Sequence, residues 1–171
     1  MAVLEVVYHP HPVLKQKART VTQFDAALAR LVEDMTETMY AADGIGLAAP
    51  QVAISERIAV IDISSDGKSP FCIINPEIID SSGRELMSAG CLSVPNTYDK
   101  VPRATWVKVR AQNEKGEFFE IEGEDLMAHC LQHEIDHLNG ILYIDYLSTL
   151  KRQMQLRKME KYLKKHPKER T

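Results

Sequence analysis

QHEIDHLNG, residues 132–140, carries the most informative pattern in the chain. It contains the pattern H-E-x-x-H, formed by His133, Glu134 and His137. Residues four apart on a helix lie on one face, so both imidazoles can reach a single divalent metal ion. Glu134 lies beside that face, where it can accept a proton from a water on the ion. The stretch predicts a central helix with a metal-binding face, although the same five-residue pattern also occurs by chance in unrelated helices.

Length and composition place the chain among ordinary globular proteins. With 171 residues, 44% of them hydrophobic and 26% charged, residues 1–171 are expected to form a single domain with its own core. The first residues, MAVLEVVYHPHPVL, do not have the organisation of a signal peptide, and no apolar run has the length of a membrane span. Three widely spaced cysteines, Cys72, Cys91 and Cys130, favour a reducing cytoplasm over a disulfide framework.

Charge is distributed unevenly along the chain. Residues 151–171 contain nine Lys or Arg and two Glu, a net charge of +7, so the preceding residues carry −10 of the total −3. Ser148 is a suitable N-cap, and the pattern predicts a basic C-terminal helix over residues 148–165 followed by a flexible tail at 166–171. A charge run of this kind is usually a solvated helix face.

Residues 44–51, GIGLAAPQ, carry two closely spaced glycines. Their letters fit G-x-G-x-x-A, but the dinucleotide-binding fingerprint needs a strand before it and a helix after it. Here apolar residues at helical spacing predict a helix over residues 25–42 just before it, and Pro50 disfavours helix at Ala49. We interpret the stretch as a loop that lets the backbone pass close to another group, or as a plain turn.

The remaining periodicity indicates an α+β fold. Helix 126–139 begins after two acidic residues and ends at Gly140. Segments 106–112 and 117–122 predict a hairpin. Further short strands are expected over residues 1–8, 57–63, 71–74, 77–80 and 84–88. We expect short mixed or antiparallel strands wrapped around the helix that carries H-E-x-x-H, with the N-terminal and C-terminal helices outside.

A catalytic site of this kind usually has three protein ligands and an open position. In the long metzincin pattern the third histidine would fall at Tyr143, so that pattern fails. A thermolysin-like downstream glutamate would have to be Glu160 or Glu169, both in the basic tail. Neither class of metallopeptidase therefore finds a convincing third ligand.

Two other residues are candidates for the third ligand. His129 lies one turn before His133, but it is displaced by about 80° from His137 around the helix, so we assign it to a nearby pocket. Cys91 follows a glycine, and its thiolate could meet the two imidazoles across a packed interface. Without the neighbouring pattern, a buried inert cysteine would be the default interpretation of Cys91.

Three stretches taken together, GIGLAAPQ at 44–51, GCLSVP at 90–95 and QHEIDHLNG at 132–140, closely resemble the peptide deformylase family. These enzymes remove the N-formyl group from nascent bacterial polypeptides. The resemblance covers nearly the whole chain, including VPRA at 101–104 and the basic C-terminal helix. Each stretch alone is a weak to moderate signal, whereas the three in this order are very specific.

The resemblance implies a metal site made of Cys91, His133 and His137, with one ion per chain. The family prefers Fe²⁺ and accepts Zn²⁺, Ni²⁺ or Co²⁺. A metal-bound water attacks the formyl carbon, while Glu134 takes the water's proton and passes it to the departing amine.

The resemblance also assigns the groups that surround the substrate. The side-chain amide of Gln51 and the backbone N–H of Leu92 are expected to hold the oxyanion. Five residues are expected to border the substrate: Ile45, Gly46, Gly90, Leu126 and His129.

One position departs from the family pattern. Where the family commonly has Glu before Gly-Cys-Leu-Ser, this chain has Ala89. Ala89 cannot be a ligand or a base, so we expect the chemistry to survive. We also expect Arg103 to have lost a partner and the electrostatics of the pocket to have changed.

The implied partners are N-formyl-methionyl nascent peptides and, through the basic helix, ribosomal RNA near the peptide exit. A cytoplasmic monomer that contacts no membrane is expected. Two alternatives remain: an H-E-x-x-H endopeptidase, and a non-catalytic ribosome-associated module with a structural metal. A structural site would normally show a fourth protein ligand, which no pattern here supplies.

Overall fold

The computed structural model describes residues 2–166, which form an α+β fold as the sequence predicts. The helices are α1 (Ala26–Ala41), α2 (Asp125–Leu138) and α3 (Thr149–Lys165), with short 3-10 turns between elements. The strands, in chain order, are β1 (Gly46–Ala48), β2 (Ile58–Ile61), β3 (Phe71–Ser82), β4 (Glu85–Cys91), β5 (Val94–Arg103), β6 (Trp106–Gln112) and β7 (Phe118–Glu124).

Two antiparallel sheets support the central helix. Five strands pair in the order β1-β2-β3-β6-β7, and β4 pairs with β5 in a separate hairpin. Strand β3 is continuous where two short strands were predicted, because a register shift between Ile74 and Glu77 accommodates Asn75 and Pro76. Proline has no N–H to donate to a neighbouring strand, so the regular pairing is interrupted at Pro76. The register shift lets the pairing resume at Glu77.

Helix α2 packs its apolar face onto the larger sheet. Ala128, Leu131, Ile135 and Leu138 are buried in one cluster. The side chains of Ala59, Ile73, Val107 and Val109 meet them from β2, β3 and β6. The helix ends before Gly140, whose φ of 77° is the left-handed conformation that closes a helix at little steric cost for glycine. This packing leaves the histidine face of α2 turned toward the smaller hairpin.

The other two helices lie outside this core, as predicted. The side chain of Asp25 caps α1 by accepting from the Leu28 N–H at 3.0 Å. Ser148 caps α3, and Met159 and Leu163 are buried in a second cluster with Val94 and Val101 of β5. Of the predicted tail at 166–171, residues 167–171 lie outside the described part of the chain.

Three local predictions differ from the structure. The described part of the N-terminal segment, residues 2–8, joins no sheet, because its backbone bonds elsewhere: the Leu4 N–H donates to Thr38 Oγ1 at 2.7 Å and the Val7 N–H to the Gln51 carbonyl at 2.8 Å. The GIGLAAPQ stretch is more ordered than a loop, since it forms β1 and then a 3-10 turn, Ala49–Val52. Strand β5 was not predicted from the sequence, because Pro95 and Pro102 interrupt its pattern of strand-forming residues. A two-stranded hairpin tolerates these prolines.

Candidate metal and hydrolytic site

Three donor atoms converge between α2 and the end of β4. The Nε2 atoms of His133 and His137 are 3.2 Å apart, and Cys91 Sγ lies 3.3 Å from His137 Nε2. All three donors lie within 4.8 Å of one another, the only such grouping among the described residues. A tetrahedral ion with bonds of about 2.05 Å separates two nitrogen ligands by about 3.3 Å, so the imidazole spacing fits one ion. One thiolate and two imidazoles suit iron, zinc and similar transition metals.

The end of β4 aims Cys91 at the two histidines. A register shift between Ala89 and Cys91 breaks the pairing with β5, and irregularities of this kind re-aim a side chain. Gly90 lies under the ring of Tyr98, where a Cβ atom would come within 2.6 Å of Tyr98 Cε1. Burial raises the pKa of the Cys91 thiol to about 12, so metal binding must displace its proton.

Both histidines are suited to act as neutral donors. Burial lowers the pKa of His133 well below its usual value and that of His137 to about 3, and the positive charge of Arg103 lowers both further. At neutral pH, neither ring therefore carries a proton that a metal ion would have to displace.

Glu134 is almost completely buried, with 3% of its surface exposed. Burial raises the pKa of its carboxyl group to about 8, against the opposing effect of Arg103. Its Oε1 atom has no hydrogen-bond partner among residues 2–166, and Gly46 lies directly against Oε2. A carboxylate with its pKa near neutrality beside a cluster of metal-binding donors has the properties of a general base.

Gln51 is held by hydrogen bonds on both sides of its amide. Its Oε1 accepts from the Ala48 N–H at 3.0 Å, while Nε2 donates to Ser93 Oγ at 3.2 Å and lies 3.6 Å from Cys91 Sγ. The first bond fixes which end of the amide is the donor end. Gln51 therefore presents N–H groups to the space next to the Cys91 thiol.

A pocket of about 560 Å³ opens over these groups. The structure brings ten of the eleven residues predicted for the site to its wall: Ile45, Gly46, Gln51, Gly90, Cys91, Leu92, Leu126, His129, His133 and Glu134. His137 lies behind Cys91 and His133. The wall also includes residues that sequence reasoning missed, among them Val6, Tyr8, Tyr98 and Tyr162. They come from the N-terminal segment, β5 and α3, and none belongs to a motif that could have indicated a role.

Arg103 keeps one ion-pair partner and has two unpaired donor atoms. Its side chain is 2% exposed and forms an ion pair with Asp136, an inner residue of the H-E-x-x-H pattern, at 2.7 Å. Its Nε and Nη2 atoms donate to no group among the described residues, which agrees with the expected loss of a partner at position 89. Ala89 is 1% exposed and lies in the apolar cluster with Val94 and Val101 rather than on the pocket wall.

Fold and site together have the features of a hydrolase of the H-E-x-x-H class in which a cysteine lies beside the two histidines and could hold a metal ion with them. A sequence model of the polypeptide deformylase family matches residues 3–153. The chain is 52% identical to a peptide deformylase of Hahella chejuensis over 94% of this chain and 96% of the relative. It is 50% identical to one of Acidobacterium capsulatum over the same shares of the two chains.

Solved structures agree with the sequence relatives. A peptide deformylase from Legionella pneumophila superimposes with a TM-score of 0.95 at 49% identity, covering 97% of this chain and 98% of that one. The enzyme of Ehrlichia chaffeensis, crystallised with actinonin, gives a TM-score of 0.90 at 38% identity, over 95% and 98% of the two chains. The chain belongs to the peptide deformylase family, whose members are metal-dependent hydrolases.

None of the described helices is both long enough and apolar enough to cross a bilayer.

Proposed function

We propose that this protein, acting as a single catalytic domain over residues 1–171, removes the N-formyl group from the N-terminal formylmethionine of newly synthesised proteins and releases formate. The observation that carries the proposal is the convergence of Cys91 with His133 and His137 beside Glu134. The third donor here is a cysteine from strand β4 rather than a histidine or glutamate downstream of α2. This difference distinguishes the site from those of the H-E-x-x-H peptidases.

Cys91, His133 and His137 are proposed to hold one Fe²⁺ ion per chain, for which Zn²⁺, Ni²⁺ or Co²⁺ can substitute. The donor set fits, since the imidazole spacing of 3.2 Å is that of two ligands on one ion. When bound, the ion supplies Lewis acidity that polarises the formyl carbonyl and lowers the pKa of water.

Glu134 is proposed to move the proton. Its carboxylate takes a proton from the attacking water as the oxygen–carbon bond to the formyl carbon forms. As the carbon–nitrogen bond breaks, the same carboxyl group gives that proton to the departing amine. Enclosure of Glu134 keeps bulk water away from the proton and raises the pKa of its carboxyl group to about 8, within reach of neutral pH.

Gln51 and Leu92 are proposed to stabilise the negative charge that develops on the formyl oxygen. The amide of Gln51 is fixed by its bond to Ala48 and presents its donor end next to Cys91. Leu92 follows Cys91 directly and lines the same pocket, so its backbone N–H is the second proposed donor. Donors held in place before the reaction stabilise an oxyanion without reorganisation.

The loop that contains Gly44 and Gly46 is proposed to act as a steric filter for the smallest acyl group. Gly46 and Gly90 line the same pocket and are proposed to border its reacting end, and Ile45, Leu126 and His129 are proposed to border the space for the first side chain. Because formylated chains arise during translation, we propose that the enzyme works as a cytoplasmic monomer on nascent peptides. We further propose that α3 docks on ribosomal RNA near the peptide exit.

The experiment that tests the proposal measures formate release from formyl-Met-Ala-Ser by enzyme loaded with Fe²⁺ without oxygen. We expect formate and free Met-Ala-Ser in equal amounts. Acetyl-Met-Ala-Ser is the matched control, and we expect it to be cleaved far more slowly because its acyl group carries an additional methyl. Absence of formate would overturn the proposal, and cleavage of internal peptide bonds instead would favour an endopeptidase.

A further inference from the structure

His129 is a buried titratable residue on the pocket wall for which the proposed chemistry has no use. It lies on α2 one turn before His133, with the two ring centroids 5.9 Å apart. The residue is only 9% exposed, yet its ring lines the pocket. Among residues 2–166 neither ring nitrogen forms a hydrogen bond, and Nδ1 is completely enclosed.

An enclosed ring nitrogen without a partner is unfavourable, since Nδ1 has lost water and gained no hydrogen bond in return. The imbalance is removed when a bound molecule supplies the missing partner. Sites with unpaired polar groups discriminate strongly in favour of ligands that satisfy them. Burial and the charge of Arg103 lower the pKa of His129 to about 4, so a neutral ring is present at neutral pH. In either protonation state, however, a histidine carries at least one N–H donor.

The position of His129 matches the first side chain of the substrate. One helical turn rises about 5.4 Å, so His129 lies about that far along α2 from the donors at which the formyl group reacts. This is the reach of a methionine side chain whose amine carries that formyl group. Ile45 and Leu126 line the same pocket and are 44% and 50% exposed, so they offer apolar walls. This part of the pocket thus combines apolar walls with an imidazole whose Nδ1 has no hydrogen-bond partner.

We propose that His129 determines specificity for the first residue and that the enzyme also deformylates peptides beginning with N-formyl-methionine sulfoxide. The inference rests on the function proposed above. A thioether sulfur is a weak acceptor, whereas oxidation converts it into a polar sulfoxide. The sulfoxide oxygen accepts a hydrogen bond from the imidazole N–H, which offsets the loss of water by both groups. Without that donor, the same oxygen would be buried unpaired between apolar walls.

The test compares kcat/KM for formyl-Met(O)-Ala-Ser with kcat/KM for formyl-Met-Ala-Ser. We expect the two values to agree within tenfold in the wild type. In His129→Leu the ratio of kcat/KM for the sulfoxide peptide to kcat/KM for the thioether peptide should fall at least tenfold. In His129→Gln, which keeps an N–H donor, this ratio should recover most of its wild-type value. Cys130→Ala, a change in the same pocket wall that removes no imidazole, should leave the ratio as in the wild type.

A second readout does not depend on turnover. Titration of the sulfoxide peptide into Glu134→Gln enzyme with ¹⁵N-labelled histidine, in which the catalytic carboxyl group is absent and the peptide stays intact, should shift a His129 ring nitrogen, and the thioether peptide should shift it less. A sulfoxide-to-thioether ratio within twofold of wild type in His129→Leu, or a shift equal for both peptides, would overturn the inference while the proposed function stands. If the wild type releases no formate from either peptide, the proposed function fails and this inference fails with it.

Discussion

The backbone at Gly46 touches the carboxylate of Glu134: a Cβ atom at position 46 would overlap Glu134 Oε2 and lie 3.0 Å from Cδ. The first glycine-containing stretch and the H-E-x-x-H helix are therefore in direct contact. This contact explains why a strand residue near the start of the chain has to be glycine, although its φ does not require it.

Replacement of Gly46 by alanine should push the Glu134 carboxylate away from its position. A displacement of about 1 Å can lower a rate about 100-fold, so we expect kcat of Gly46→Ala to fall by about that factor while metal content stays at one ion per chain. Gly44→Ala is the comparison in the same segment: a Cβ there comes nearest to the end of the Leu92 side chain, at 2.9 Å, and meets no atom of Glu134, so we expect it to lower kcat less. A kcat of Gly46→Ala equal to that of Gly44→Ala would contradict the contact.

Breaking the buried ion pair between Arg103 and Asp136 should destabilise the protein. Removal of one member of a buried pair costs about 3–5 kcal/mol. Asp136→Ala should be more destabilising than Arg103→Met, because the aspartate change leaves the Arg103 guanidinium buried without its counter-ion. The Nε and Nη2 atoms of Arg103 already lack partners among the described residues. Urea unfolding of both single variants and of the double variant measures the change in the free energy of unfolding. If the effects of the single changes simply add in the double variant, the two side chains are not coupled.

Metal binding should release a proton from Cys91. Its thiol pKa is raised to about 12, so the metal-free protein carries a thiol at pH 7, whereas the pKa of His137 is lowered to about 3 and that ring is already neutral. In Glu134→Gln, which removes the neighbouring carboxyl group, the affinity for Zn²⁺ should rise about tenfold for each pH unit between 6.5 and 8. Competition with a chelator of known pH dependence measures this slope. Affinity that did not change with pH would exclude the thiol as the ligand.

The proposed docking of α3 on RNA should depend on its exposed lysines. Truncation would also remove Gln155, Met159 and Leu163, which are buried, so charge-removing substitutions give a cleaner test. A triple variant should weaken ribosome binding and make that binding less dependent on salt concentration. Its three changes to glutamine are at Lys158, Lys161 and Lys165.

The control for this change replaces the same number of exposed lysines elsewhere, at Lys17, Lys68 and Lys115. Equal ribosome binding by the two triple variants would show that α3 has no special part in docking.

The sequence predicted best those elements whose signal is local. Helix α1 was expected over residues 25–42 and spans Ala26–Ala41, because a regular apolar spacing and the cap at Asp25 both lie within it. Strand β5 was not predicted, because Pro95 and Pro102 hide its pattern and its stability comes from pairing with β4.

The residues of the candidate site fall into the same two groups, those with a local sequence signal and those without one. Helical spacing indicated His133, Glu134 and His137. Cys91 was one of several candidates for the third ligand until the resemblance to a known family singled it out. The Arg103–Asp136 pair and the pocket walls at Tyr98 and Tyr162 depend on how β5 and α3 pack, and no local pattern encodes those contacts.

The central claim is that Glu134 moves the proton in a site whose metal is held by Cys91, His133 and His137. The most direct measurement is formate release from formyl-Met-Ala-Ser by Glu134→Gln, together with its metal content. The account predicts one bound ion per chain and a kcat lowered by about 10²–10⁴, the usual contribution of a general acid–base group. A kcat within tenfold of the wild type with the ion bound would contradict it.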